Sequence, residues 1–169
     1  MTFKDFYGFA YKLFETSTPL AADCGRLCGG ACCMGDDESG MYLFPGEECM
    51  YSDSADWMKI EKSGFEYSVG KCADILLCKP FCDRRLRPLA CRIFPLLPYI
   101  TENGRLNIIM DPRGKHMCPL AAAAETQQLD PRFVHRVSYL GKLMIKNRVL
   151  YEYLEQLSRL TDDYSGGLL

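Results

Sequence analysis

Four of the ten cysteines in this 169-residue chain fall within one ten-residue stretch, Cys24-Gly25-Arg26-Leu27-Cys28-Gly29-Gly30-Ala31-Cys32-Cys33. A regular helix would align Cys24, Cys28 and Cys32 on one face. Gly25, Gly29 and Gly30 oppose a regular helix and favour a loop whose backbone N–H groups approach sulfur and stabilise thiolate charge. Short, glycine-interleaved cysteine loops gather several thiolates around one metal. The adjacent Cys32 and Cys33 are expected to point apart. Two metals, a multinuclear cluster or one spectator thiol are therefore all open.

Nearly half of the residues are apolar, enough for a core that needs no covalent staples, and the length suits one domain of residues 1–169. The amino-terminal residues Met1-Thr2-Phe3-Lys4-Asp5-Phe6 lack the basic start and continuous apolar block of a signal peptide. No apolar run reaches the roughly 18–20 residues that span a bilayer. A cytoplasmic location is the expectation, and in a reducing compartment cysteines read as metal ligands before disulfides. The formal net charge of -2 leaves no electrostatic footprint for nucleic acid or an anionic membrane.

Along the chain, Phe3, Phe6, Tyr7, Ala10, Leu13 and Phe14 recur at helical spacing over residues 3–15, and Thr18-Pro19 ends that helix. An acidic turn follows the cysteines at 35–40. Met41–Phe44 reads as a short strand, Pro45 with Glu47 and Glu48 as a brief helical turn, residues 52–63 as a second helix and 65–79 as strand. Leu96 to Met110 carries the strongest β signal, two apolar runs flanking Thr101-Glu102-Asn103-Gly104-Arg105, because Asn-Gly favours a tight hairpin. Asp130 with Pro131 opens a C-terminal helix. A second helical segment runs from Val149 to Leu160, and Thr161–Leu169 reads as a frayed tail. The expected class is α+β: helices around a small antiparallel element, with cysteine-rich metal-binding loops on one side.

The other cysteines lie beyond the first loop. Cys72, Cys78 and Cys82 precede Arg87-Pro88-Leu89-Ala90-Cys91-Arg92-Ile93-Phe94-Pro95, and Cys118-Pro119 follows the hairpin. Arg84, Arg85, Arg87 and Arg92 suit a thiolate site, since four thiolates on zinc carry about two net negative charges; Arg84 and Arg85 read equally well as surface charges with local ion pairs, and Arg87 and Arg92, which flank Cys91, less so. His116 is a possible nitrogen ligand, while His135 reads as an ordinary helix residue. Cys49 is expected as a small packing residue, and Cys72 and Cys78 as buried strand positions. Asp36, Asp37, Glu38, Glu47 and Glu48 are expected on a solvated surface.

The glycine-interleaved cluster ending in Cys32-Cys33, the segment Arg87-Pro88-x-x-Cys91-Arg92-x-Phe94-Pro95, the hairpin and Cys118-Pro119 occur in that order. This resembles the cysteine-rich zinc- or iron-chelating domain family named for its Cys-x-x-Cys-x-x-Cys-Cys motif, over residues 24–120. The first two spacings here are three residues rather than two. A related segment occurs in flagellin lysine-N-methylases. The resemblance implies metal or iron–sulfur binding by Cys28, Cys32, Cys33, Cys91 and Cys118, with Cys24 and Cys82 added.

Both zinc and iron–sulfur clusters accept four thiolates. The expected function is therefore a metal-binding protein holding zinc or an iron–sulfur cluster. The alternative is an iron–sulfur-dependent redox or methyl-transfer enzyme or accessory factor. A radical S-adenosylmethionine enzyme would want its third cysteine at the position of Ala31. No Cys-x-x-Cys pair supports thiol redox chemistry, and a strained Cys32–Cys33 disulfide is the outside alternative.

Overall fold

A computed structural model of the protein describes residues 1–33, 40–51, 56–79, 84–123 and 128–166, with Arg84 described by its backbone alone. Among them helices mix with two small antiparallel sheets. Helix α1 spans Phe3–Leu13. Thr2 caps it: the Asp5 N–H donates to Thr2 Oγ1, and the Thr2 N–H donates back to Asp5 Oδ2. Phe6, Tyr7 and Ala10 face inward, as their spacing requires. The Tyr7 hydroxyl donates to the Pro45 carbonyl at 2.7 Å and ties α1 to the turn that follows β1. That turn is close-fitted. Gly46 sits at φ 83°, and a Cβ there would run into the Phe3 ring.

The first sheet has the order β1-β3-β2, formed by Gly40–Tyr42, Lys71–Cys78 and Met58–Ser68. A hairpin turning at Gly70, φ 70°, joins β2 to β3 and pairs Met58 with Cys78 and Ile60 with Leu76. The helix expected over 52–63 is not what forms where the structure describes it: Met58 onward is strand, while 52–55 lie outside the described residues. Met58 and Ile60 alternate with Lys59 and Glu61. That two-residue period, completed by a long partner strand, decides against the helix.

The second sheet is the hairpin expected from Asn103-Gly104. Strand β4, Leu96–Ile100, pairs with β5, Leu106–Met110. Gly104 takes φ 71°, and its N–H closes the turn onto the Thr101 carbonyl at 2.8 Å.

Two short helices precede the long ones, α2 at Gly25–Cys28 and α3 at Leu89–Ile93, and α4 follows at Pro119–Ala123. Helix α5, Pro131–Met144, starts at Asp130 as expected, with the Asp130 carboxylate accepting from the Arg132 N–H at 2.8 Å. Helix α6 runs Arg148–Gly166, which corrects the frayed tail. Thr161 is buried and its hydroxyl donates to the Leu157 carbonyl, while the Tyr99 hydroxyl donates to Asp162. A helix packed on a sheet does not fray where its side chains are buried. Residues 167–169 lie outside the described set.

Helix α6 touches both sheets. Tyr153 packs edge-on against Phe44, Phe65 and Tyr67, at centroid distances of 5.3, 5.5 and 5.4 Å. One turn and a half further on, the buried Ser158 hydroxyl accepts the Ile100 N–H of β4 at 2.8 Å and donates to the Leu154 carbonyl. The core runs from the inner face of α1 through α3 and β4 to the apolar stripes of α5 and α6. Leu89 and Ile93, at the two ends of α3, are both fully buried in this core, which anchors the backbone of the 85–93 stretch. No described helix is long and apolar enough to cross a membrane.

Candidate metal centre

The cysteine stretch folds as one helical turn, a reversal and a second tight turn. Cys24 precedes α2, and its carbonyl accepts from the Leu27 N–H at 3.0 Å. Gly29 and Gly30 take φ 62° and 74°. No β-carbon stands in the way of this left-handed pair, and the Gly30 N–H reaches back to the Gly25 carbonyl at 2.9 Å. Ala31–Cys33 then form a tight helical turn, closed by the Cys33 N–H on the Gly30 carbonyl at 2.7 Å. The glycines therefore act as expected in breaking a regular helix, but they leave one helical turn before the break.

Cys32 is exposed; Cys24, Cys28 and Cys33 are half-buried. The Cys32 and Cys33 sulfurs lie 4.0 Å apart. This corrects the expectation that the adjacent side chains diverge. In the tight turn, successive residues are rotated far less than in a strand, so both thiols leave the backbone on one side. The separation is far longer than the roughly 2.05 Å of a disulfide.

Arg87 comes from across the molecule. Its Nη2 donates to Cys33 Sγ at 3.4 Å, a contact between residues 54 apart in sequence. The hydrogen bond from Cys33 holds the Cys32 thiol below its ordinary value. Burial works against that, the Arg87 charge works with it, and Cys28 and Cys24 oppose it from nearby. A partly exposed thiol beside a guanidinium is the setting in which thiolates form at neutral pH.

Arg92 does something other than neutralise thiolates. Its guanidinium lies 4.1 Å above the centre of the Tyr11 ring. Nε donates to the Arg87 carbonyl at 2.7 Å, Nη2 to the Arg85 carbonyl at 2.6 Å, and Nη1 to the Tyr11 carbonyl at 3.4 Å. It pins the backbone from which Arg87 reaches Cys33. Arg85 is exposed.

Of the remaining candidates, Cys91 is half-buried on α3. Cys118 is half-buried at the start of α4, its N–H donating to the Gly114 carbonyl at 2.9 Å. Cys82 lies outside the described residues, as do Asp36, Asp37 and Glu38. Among the described residues, no group of three or more His, Cys, Asp or Glu side chains is arranged to hold an ion. His116 and His135 are exposed. Cys49, expected to pack, is exposed because its turn faces outward. Cys72 and Cys78 are half-buried on β3. A cleft of about 900 Å³ on the first sheet is lined by Cys78 but by no other cysteine among the described residues.

No family model, curated protein or solved structure matches this chain. The site has to be read from its own geometry.

That geometry includes a residue the sequence hid. Glu47, expected on a solvated surface with Glu48, is fully buried, whereas Glu48 is exposed. Its Oε1 accepts from the Leu89 N–H at 2.6 Å and from the Tyr11 hydroxyl at 2.7 Å, and its Oε2 accepts from the Phe44 N–H at 3.1 Å. Tyr11 in turn shares a 2.7 Å hydrogen bond with Tyr51. Burial outweighs these donors and pushes the Glu47 carboxyl up to about 7. Three elements thus meet on one carboxyl: α1 through Tyr11, the 47–50 turn, and the start of α3. The network sits directly behind Arg92 and the Arg87 segment. A single sequence carries no local cue for it, since its partners lie 36 and 42 residues away.

Proposed function

We propose that the protein binds a soft metal centre, zinc or an iron–sulfur cluster, through thiolates of the Cys24–Cys33 turn. Cys91, Cys118 and Cys82 are the candidates to complete its ligand set. The observation that carries this reading is the Cys32–Cys33 pair under Arg87. Sulfurs about 2.3 Å from a tetrahedral zinc are about 3.8 Å from each other, and the two thiols stand 4.0 Å apart. A guanidinium on one of them supplies the positive charge that a multi-thiolate centre calls for.

The donor set fits a soft ion. Thiolates prefer zinc or iron–sulfur iron over hard cations such as magnesium. The Gly29-Gly30 reversal brings the two halves of the cysteine stretch back toward each other, as a chelating loop must. When bound, zinc would crosslink the loop to the core, and an iron–sulfur cluster would carry electrons. The chain's own contribution is a preset sulfur pair, a fixed cation and a backbone held by Arg92. The resemblance to the chelating-domain family points the same way.

Anaerobic purification, elemental analysis and an absorption spectrum test the reading. Stoichiometric zinc in colourless protein, or iron with acid-labile sulfide in brown protein, supports it. Cys32→Ser and Cys33→Ser should each lose metal, while Cys49→Ser keeps it. Wild-type protein free of both metals, or unchanged metal content in both turn variants, would refute it.

A further inference from the structure

Arg87 reaches Cys33 from the link between the tight turn Arg84–Leu86 and helix α3. The first backbone N–H of α3 belongs to Leu89, and no carbonyl within the helix can serve it. Its N-cap residue is Pro88, whose side chain has no oxygen to offer. The acceptor comes from 42 residues away: the Leu89 N–H donates to Glu47 Oε1 at 2.6 Å. Glu47 therefore caps α3 from another part of the fold.

The same oxygen accepts from the Tyr11 hydroxyl at 2.7 Å. Tyr11 is what Arg92 rests on, its ring 4.1 Å from the guanidinium and its carbonyl accepting from Nη1 at 3.4 Å. From the far end of α3, Arg92 folds back along the chain. Its backbone N–H donates to the Pro88 carbonyl at 3.0 Å, and its side chain holds the carbonyls of Arg87 and Arg85. These contacts close a ring: Glu47 to Leu89, along α3 to Arg92, across to Tyr11 and back to Glu47. Arg87 sits between its two ties, with Arg92 on the carbonyls of 85 and 87 and Glu47 on the N–H of 89. Burial makes the Glu47 carboxyl costly to ionise. An apolar side chain would avoid that cost, but could not accept from two donors at once.

We propose that Glu47 is a positioning residue of the thiolate centre. By capping α3 and holding Tyr11 beneath Arg92, it fixes the segment from which Arg87 reaches Cys33, and so strengthens the grip of the cysteine turn on a soft metal. The proposal rests on the metal-binding reading above. Metal binding needs deprotonated thiols, and a guanidinium already in place stabilises their charge. A guanidinium that must first be ordered takes conformational entropy out of the binding free energy.

Zinc is the probe. A chromophoric chelator of known affinity withdraws it from the zinc-loaded full chain at neutral pH, and circular dichroism checks the fold of each variant. Glu47→Leu should weaken zinc binding roughly tenfold or more, the usual effect of losing a group that supports metal ligands. Glu47→Gln keeps an acceptor for Leu89 and Tyr11 and should bind zinc like wild type. Ser158→Ala, destabilised far from the turn, should also bind like wild type. Because Glu47 acts through Arg87, Glu47→Leu in an Arg87→Gln background should cost no more than Arg87→Gln alone. Tyr11→Phe keeps the ring under Arg92, should weaken zinc about fivefold, the worth of one hydrogen bond, and decides the case where the leucine variant does not fold. Wild type that takes no zinc overturns this proposal together with the metal-binding reading. With zinc bound by wild type, unchanged affinity in the folded leucine variant, or in Tyr11→Phe in its place, overturns the positioning role alone. So does a glutamine or Ser158→Ala variant as weak as the leucine one, or full additivity with Arg87→Gln.

Discussion

Glu47→Gln isolates the buried carboxyl and makes its cost measurable as a function of pH. Glu47 ionises near 4.5 when solvated, and near 7 in the folded protein, because burial disfavours its charge more than its three hydrogen-bond donors favour it. Below pH 4.5 both states are neutral and the carboxyl imposes no penalty. Between 4.5 and 7 the unfolded chain releases the proton while the folded chain keeps it, so stability falls as pH rises. Above 7 both are ionised and the loss levels off. A difference of about two and a half units at 1.36 kcal/mol each is on the order of 3 kcal/mol. Glutamine does not titrate. Its single carbonyl oxygen can serve the Leu89 N–H and the Tyr11 hydroxyl, but its NH₂ then faces the Phe44 N–H, at a cost of about 1–3 kcal/mol. The variant should be the less stable protein at pH 4.5 and should gain on wild type by on the order of 3 kcal/mol by pH 8. Urea unfolding followed by circular dichroism at half-unit pH intervals gives both curves. Taking their difference cancels every group the substitution leaves alone. A difference that is flat from pH 4.5 to 8, or that moves in wild type's favour, would refute the account of a carboxyl stranded by burial.

Other consequences are as direct. Arg87→Gln removes the cation that helps hold the Cys32 thiol down, so iodoacetamide labelling of Cys32 in metal-free protein should require a higher pH than in wild type; an unmoved profile would deny Arg87 that role. Ser158→Ala strips the acceptor from the Ile100 N–H and should cost about 1–3 kcal/mol of unfolding free energy. Gly46→Ala forces a side chain into a left-handed backbone and onto the Phe3 ring. It should lose roughly 2–4 kcal/mol, visible as a lowered Tm.

Where the structure follows the sequence, a cue lies within a few residues of its effect. Asn103-Gly104 needs only its own backbone freedom to turn β4 into β5. Asp130 caps α5 two residues away, and the α1 stripe is visible over three turns. At strand β2, Trp57, Met58 and Ile60 fit a short helix as well as an edge of alternation, and the partner that decides between them is β3. The end of α6 differs from its sequence expectation for the same kind of reason: Thr161 and Asp162 look polar, yet one is buried and the other holds Tyr99. At the cysteine turn, the glycine reversal was legible and the parallel setting of Cys32 and Cys33 was not. Only the tight turn of Ala31–Cys33 sets that spacing.

By itself the sequence determined which chemistry is on offer: clustered soft sulfur, glycines that let it turn, and arginines to balance it. Tertiary structure alone decided how those groups are used. It set Arg87 on Cys33 from 54 residues away, turned Arg92 away to clamp the neighbouring backbone, and buried Glu47 while leaving Glu48 in water. Residue identity and spacing act over a turn or two of chain. Burial, and with it the charge a carboxyl or guanidinium can keep, is a property of what the rest of the molecule packs around it.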